Sequence, residues 1–378
     1  MIILELCFSD GCGGLEHYVR RSVKWLKGHG HSVHALVAND TILAQWLEED
    51  DIQHQCMITP SRTLPLQSAR RVAGTIEQHQ VQVVHIHSSR DLNLAVLAKF
   101  LSTLSVTLVY SIHLRPRNSK RDPVHRWIYN NLDLIIANSR CVHEDTKLNL
   151  PVSDVRCELL YPGVGKVHPI DCLKLLDRHG VGSGRFTAAL FGRIEHAKGQ
   201  HVLIGAIKKL LEEGVNVHAL IAGPIMDKKY HEDLQREISA SGLSANVSTT
   251  GFLDNSMAAM QCFDAVVLPT YNEAFGLVLI EAMNAGAAVI GANVGGVPEI
   301  IDNGHNGLLF DPGDAQGLAH HIKSLAQNPP LKEKLIEGGK QTVLKNFSED
   351  EHYRRLTRLF GDTGWSDPLE VTGRKGIE

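Results

Sequence analysis

The sequence has no Cys-x-x-Cys pair, although seven cysteines (Cys7, Cys12, Cys56, Cys141, Cys157, Cys172 and Cys262) are scattered along it. An odd, dispersed set argues against a disulfide framework and against structural zinc, and it fits a reducing cytoplasm. No apolar run approaches the roughly 20 residues of a membrane-spanning helix. The longest, such as Asp264 to Pro269 and Gly276 to Ile280, fall well short. The opening Met1-Ile2-Ile3-Leu4-Glu5 lacks a basic segment, so it reads as a first strand rather than a signal peptide. There is no excess of positive charge: the formal net charge is -4, which argues against nucleic acid as a partner. With 43% hydrophobic and 21% charged residues and only 14 prolines, the composition excludes a collagenous or disordered chain. Two motifs are also missing. No Asp-x-Asp stands beside a strand end, and Ser9 to Gly14 lacks Gly-x-Gly-x-x-Gly spacing. These absences count against a metal-dependent transferase and against a nicotinamide dehydrogenase.

What is present is an alternation. At 378 residues the chain exceeds one ordinary core, and two domains are expected. Short β-branched runs alternate with longer segments of helical period, the pattern of parallel sheets covered by helices. The first half has strand candidates at Ile2 to Cys7, Ser32 to Val37, Val81 to Ile86, Thr107 to Ser111, Leu134 to Ala137 and Cys157 to Tyr161. The second half restarts with Phe186 to Phe191, Val217 to Ala222, Val247 to Thr250, Ala265 to Leu268, Ala287 to Ile290 and Gly307 to Phe310. Between them, Pro162 to Gly184 is punctuated by glycine and proline, with one short helix at Cys172 to Arg178. The expected division is a first α/β domain over 1–165, a linker over 166–184 and a second over 185–345. A helix over 346–360 packs back on the first domain, and a polar tail occupies 361–378.

The richest segment runs from Pro269 through Thr270-Tyr271-Asn272-Glu273-Ala274-Phe275-Gly276-Leu277 to Glu281. A buried strand ends at Leu268, a loop carries Glu273, and a helix begins near Gly276. Orphan amides and the dipole at such a helix start favour a diphosphate. Glu273 stands before the first turn and Glu281 in the second. One acid can reach a sugar while the other accepts hydrogen bonds from ribose hydroxyls; alternatively, Glu273 is a cap and Glu281 a solvated helix residue. Arg193 and Lys198, in Gly192-Arg193-Ile194-Glu195-His196-Ala197-Lys198-Gly199, supply a bidentate fork and a point charge for a leaving diphosphate. Gly13-Gly14, between the first strand and a helix, offers backbone amides to an anion.

Glu273-x7-Glu281 with Phe275-Gly276 inside it resembles the paired-acid motif of family 4 retaining glycosyltransferases of the GT-B fold. Phe191 to Gly199, Gly295-Gly296-Val297-Pro298-Glu299 and Asn306-Gly307-Leu308-Leu309 look like further landmarks of that family. So do Gly13-Gly14-Leu15-Glu16, Asn138-Ser139 and Tyr161-Pro162-Gly163-Val164. The resemblance extends over nearly residues 1 to 360. It implies an α/β fold of two Rossmann-like domains whose parallel sheets face a deep cleft, and a nucleoside-diphosphate sugar as donor, with uridine favoured. It implies retention by front-face attack, with His113, Arg193, Lys198 and Glu273 as catalytic residues. The donor set adds Gly14, Ala274, Phe275, Gly276, Leu277 and Glu281, with no metal and no cofactor. His113 follows the fourth strand candidate, where a family histidine contacts the donor sugar; His87, after Val84-His85-Ile86, is a weaker candidate for that contact.

The acceptor side is expected to include Gly13, Glu16, Arg115 and Arg117. The segment His113 to Arg126 is strongly basic and suits an anionic acceptor. A second cluster, Arg20, Arg21, Lys24, Trp25 and Lys27, suits the anionic surface of a cytoplasmic membrane. Both are equally read as solvated faces. Together they favour a glycan or glycolipid acceptor, phosphorylated or of lipopolysaccharide-core type. A nucleotide-sugar epimerase and a non-catalytic sugar-nucleotide-binding subunit remain the competing readings.

Overall fold

Alternating strand and helix segments build two parallel sheets in the computed structural model, which describes residues 1–60, 65–153, 155–253 and 255–363. Among the described residues the first unit comprises Met1–Tyr161 together with 350–363; the second is Pro162–Glu349. The segment expected as a linker therefore belongs to the second unit. From residue 364 onward the expected tail lies outside the described residues.

In the first unit the elements are β1 (Ile2–Cys7), α1 (Gly14–Gly28), β2 (Ser32–Ala38), α2 (Ile42–Glu49), β3 (His54–Met57), α3 (Leu66–His79), β4 (Val83–Ile86), α4 (Leu92–Leu101), β5 (Thr107–Ile112), α5 (Pro123–Asn130), β6 (Leu134–Ala137), α6 (Arg140–Asn149) and β7 (Arg156–Leu159). The sheet order is β3-β2-β1-β4-β5-β6-β7, all parallel, with the order reversing between β1 and β4. Strand β3 was not expected. Its sequence His-Gln-Cys-Met is half-buried, exposed, exposed and buried, an edge strand without an apolar face.

The second unit continues with α7 (Cys172–Arg178), β8 (Phe186–Phe191), a 3-10 turn at His196–Lys198, α8 (Gln200–Glu212), β9 (Val217–Ala222), α9 (Lys228–Ala240), β10 (Val247–Thr249), α10 (Ser256–Met260), β11 (Ala265–Leu268), α11 (Leu277–Ala285), β12 (Ala288–Ala292), α12 (Val297–Ile300), β13 (Leu308–Phe310), α13 (Ala315–Gln327) and α14 (Pro329–Asn346). Its sheet order is β10-β9-β8-β11-β12-β13, reversing between β8 and β11. Strands β8, β9 and β11 are almost wholly buried, as a sheet covered on both faces requires.

The last helix, α15 (Glu349–Gly361), returns to the first unit. It buries Tyr353, Leu356 and Phe360 in the core that contains Tyr18, Val19 and Leu26 of α1. Each such side chain is worth about 1.5 to 3 kcal/mol of transfer free energy. Trp25 Nε1 donates to Asp350 Oδ1 at 2.8 Å, and its ring stacks on Tyr353 with centroids 5.3 Å apart.

One expectation about cysteine is corrected. Cys172, on α7, and Cys262, between α10 and β11, form a disulfide that closes 90 residues of the second unit. Such a separation leaves no spacing signal, because the two sulfurs are brought together only by the fold.

Candidate active site

In open parallel sheets ligands bind beyond the carboxyl ends of the strands where the strand order reverses. In the second unit that point lies between β8 and β11, and the two loops leaving these strands carry the expected donor residues. Lys198, closing the 3-10 turn after β8, donates to Glu273 Oε2 at 2.9 Å, and both side chains are largely shielded from solvent. Expected to have separate tasks, the two residues are a pair in the structure. Arg193 lies in the same β8 loop but turns to Glu195, at 2.9 Å, and is more exposed.

The loops are stitched together through their backbones. Tyr271 N–H donates to Ala197 O at 2.9 Å, and the Thr270 hydroxyl donates to the same carbonyl at 3.0 Å. Gln200 Nε2 donates to Arg193 O at 2.8 Å. Gly199 permits this closeness: its φ is +70°, and a Cβ there would lie 2.0 Å from Pro269 O. Gly295 does the same on the other side of the acid loop, with φ +58° and a hypothetical Cβ 1.9 Å from Glu273 O. Glu273 is thus gripped between the β8 loop and the loop after β12.

Helix α11 begins just beyond, with Gly276 as its N-cap and no side chain capping its amides. Ala274 and Phe275 are buried, Leu277 and Glu281 half-buried. Phe275 packs edge-on against Phe347, with centroids 5.7 Å apart. A cation, an acid and an uncapped helix start therefore converge at the switch point, which is the chemistry of an anion site.

The first unit differs. At the start of α1, Gly13 N–H is already taken by Glu16 Oε2 at 2.8 Å, so the capping box fills part of the expected anion nest with the chain's own buried carboxylate. Gly14 remains exposed at the first helical position. His113, just past β5, is half-buried. Burial holds its imidazole well below the usual range, and nearby His87 and His85 add to the depression.

His113 is the outermost member of a buried cluster that sequence reading did not assemble. Glu5, in the middle of β1, is fully buried between His85 and His87. Its Oε1 accepts the Ser22 hydroxyl at 2.9 Å, and its Oε2 is hydrogen-bonded to His87 Nε2. His85 Nδ1 lies 3.0 Å from the same oxygen without hydrogen-bond alignment, and His85 Nε2 meets Ser111 Oγ at 2.8 Å. His87 Nδ1 lies 3.3 Å from His113 Nε2. Tyr18 stacks obliquely on His113, with centroids 4.8 Å apart, and its hydroxyl bonds His352 Nε2 of α15 at 2.9 Å. Burial alone would raise the Glu5 carboxyl, but the two imidazoles hold it well below the usual carboxylate range. Burial lowers His87 to about 4 and His352 to about 3. The signal available in the sequence was an acid inside an otherwise apolar strand, and histidines at i and i+2 on the neighbouring one.

Glu5, His85 and His87 are also ligand types, and among the described residues their ligand atoms lie within 4.8 Å of one another. The direct hydrogen bond from His87 Nε2 to Glu5 uses the lone-pair position that a cation would need.

The basic segments are altered by their neighbours. Arg20 and Lys24 of α1 both pair with Asp50, at 2.5 and 3.0 Å, and Trp25 faces the core. Asp50, at the end of α2, thus neutralises much of the α1 cluster. Arg115 likewise pairs with Asp145 at 2.7 Å. In contrast, Arg121 and Arg126 engage backbone carbonyls, and Arg117 is exposed. Beside them Trp127 of α5 stacks on Phe100 of α4, both exposed, with centroids 5.7 Å apart.

Two Rossmann-like units, each built on a parallel sheet, are the architecture of the GT-B fold. Family models agree: "Glycosyl transferases group 1" matches residues 174–342 and "Glycosyltransferase Family 4" matches 12–165. The chain belongs to the family 4, group 1 glycosyltransferases. It is 29% identical over 195 residues to the 2-deoxystreptamine N-acetyl-D-glucosaminyltransferase of Niallia circulans, covering 51% of this chain and 49% of the relative. The match thus spans about half the length of that relative. The lipopolysaccharide core biosynthesis mannosyltransferase LpcC of Rhizobium leguminosarum bv. viciae is 23% identical over 273 residues, 71% of this chain and 74% of its own length. The crystal structure of Anabaena Alr3699/HepE in complex with UDP-glucose superposes with a TM-score of 0.82 at 24% identity, covering 96% of this chain and all of that one.

Proposed function

We propose that this glycosyltransferase moves a sugar from a uridine-diphosphate donor to an anionic glycan or glycolipid, with retention of configuration and without a divalent metal. The observation that carries the donor reading is the Lys198–Glu273 pair beside the uncapped start of α11. Anabaena Alr3699/HepE, of the same fold, was solved with UDP-glucose, and this supports the choice of uridine.

In the proposed reaction Lys198 leaves Glu273 for the diphosphate, and Arg193 adds its fork from the same loop. Their positive charge stabilises the diphosphate as the bond to the anomeric carbon breaks. Glu273, released, accepts hydrogen bonds from sugar hydroxyls, Glu281 those of the ribose, and His113 contacts the donor sugar. The acceptor oxygen bonds to the anomeric carbon on the face the phosphate leaves, and the acceptor hydroxyl proton passes to the departing phosphate oxygen. No protein base is then required.

An anionic acceptor, of lipopolysaccharide-core or other cell-surface type, is supported by Arg117, Arg121 and Arg126, on the segment that leads into and opens α5. LpcC, named for lipopolysaccharide core biosynthesis, is consistent with it.

The deciding experiment is a thermal-shift screen against UDP, GDP, ADP and their sugar conjugates. A ligand at 100 times its Kd stabilises by about 2.7 kcal/mol. UDP should raise the melting temperature of the wild type and not of Lys198→Ala or Glu281→Ala. No shift with any nucleotide would defeat the donor assignment. Activity abolished by a chelator and restored by manganese would defeat the metal-free mechanism.

A further inference from the structure

The buried cluster contains a chain of hydrogen bonds whose direction can be worked out from one end. Glu5 has no solvent contact and takes the Ser22 hydroxyl on one oxygen. Its other oxygen takes His87 Nε2. An ionised carboxylate only accepts, so His87 Nε2 must carry a proton. His87 is fully buried and neutral near pH 7, so its second nitrogen, Nδ1, carries none. The group 3.3 Å from that bare nitrogen is His113 Nε2, and the bond exists only if Nε2 of His113 carries a proton and donates it. A neutral His113 then has a bare Nδ1.

We propose that Glu5 and His87 are positioning residues that lock His113 as the Nε2-protonated tautomer, leaving Nδ1 as an acceptor for a hydroxyl of the donor sugar. The Tyr18 ring against His113 fixes its rotation. A parallel chain holds Tyr18. The Tyr161 carbonyl accepts His352 Nδ1–H at 2.7 Å, leaving His352 Nε2 to accept the Tyr18 hydroxyl. The consequence for specificity is that the sugar must offer an O–H at this point; a deoxy or O-methylated analogue forfeits the bond. The hydroxyl contact rests on His113 touching the donor sugar, as proposed above, whereas the tautomer does not.

A metal ion at Glu5, His85 and His87 would invert the chain. Coordination through His87 Nε2 would force its proton to Nδ1, which would then donate to His113 Nε2 and expose His113 Nδ1–H. The two states are therefore separable by spectroscopy.

The test is nitrogen NMR of the full-length protein labelled at histidine, with His113 assigned by its loss in His113→Ala. The expected result is a protonated Nε2 and a bare Nδ1 on His113 in the substrate-free protein. His87→Leu should mix the tautomers, and His87→Asn, whose amide oxygen stands where Nδ1 was, should restore the wild-type signature. In turnover, His87→Leu should lose about tenfold in kcat/KM, the size of one hydrogen bond, with His87→Asn recovering most of it. A protonated Nδ1 on wild-type His113, an unchanged signature in His87→Leu, or one equivalent of metal in the purified chain would overturn the proposal. If the tautomer is as proposed but His113→Ala turns over normally, the reading of His113 as the sugar contact fails and the hydroxyl specificity fails with it, while UDP binding by the second unit is judged by the thermal-shift screen alone.

Discussion

Single residues decide whether the second unit's switch point works. Lys198→Ala should leave Glu273 without its partner and lower turnover about 10²- to 10³-fold, the cost of losing one strong transition-state donor. A steady-state assay with unchanged kcat would end the diphosphate assignment for this lysine. Gly199 is the sharper structural case. A methyl group there meets Pro269 O at 2.0 Å in a backbone conformation that L side chains rarely adopt. Gly199→Ala should therefore cost at least about 2 kcal/mol and spread the loops that hold Lys198 and Glu273. Denaturant unfolding that matches wild type would contradict this.

Position was legible at this scale: Arg193, Lys198, Glu273 and Gly276 lie on the two loops that leave β8 and β11, where the ends of the apolar runs put them, and their roles are the proposal made above. Glu5 was not found, because a carboxylate in an apolar run gives no hint of which histidines will surround it. That Asp50 would pair with Arg20 and Lys24 was not legible for a related reason: it depends on how α1 and α2 pack.

Elements were read well wherever their faces were apolar. Strands Ile2–Cys7, Leu134–Ala137, Phe186–Phe191, Val217–Ala222 and Ala265–Leu268 fall where their hydrophobic runs put them, and α7 spans the expected Cys172–Arg178. β3 escaped because an edge strand need not bury both faces. Helix α7 shows the opposite problem: it was found by period, yet it buries no residue. Seven residues, none fully buried, make a marginal helix, and the Cys172–Cys262 bridge ties it covalently to the rest of the second unit. Reduction, or Cys172→Ser, should destabilise that unit by about 2 to 4 kcal/mol. It should also raise amide exchange first across α7. Equal exchange with and without reductant would show that the helix is held some other way.

For the whole molecule the buried histidines set an acid limit. Burial lowers His17 and His87 to about 4, His352 to about 3 and His113 well below the usual range, whereas it raises Asp91 to about 7. Between the unfolded imidazole value of about 6.5 and the folded values, the unfolded chain binds more protons at the four histidines, and the folded chain binds more at Asp91. His34, His179, His201, His218 and His321 are lowered as well, so the unfolded state binds more protons on balance. Stability is therefore present above about pH 6.5 and is lost as the pH falls towards 4. A melting temperature that stays level from pH 7 to pH 4.5 would mean that these imidazoles are solvated.

The return of α15 to the first unit has a consequence for biosynthesis. Tyr18, Val19, Leu26 and the Glu5–histidine cluster leave the ribosome early, but the helix that covers them is translated only after the whole of Pro162–Glu349. At about 5 to 20 residues per second, that delay is on the order of ten seconds or more. During it, the nascent first unit presents an open apolar seam, and the second unit has every residue it needs before that seam is closed. The order of maturation is thus the reverse of the order of synthesis, and the seam is where a chaperone would be needed.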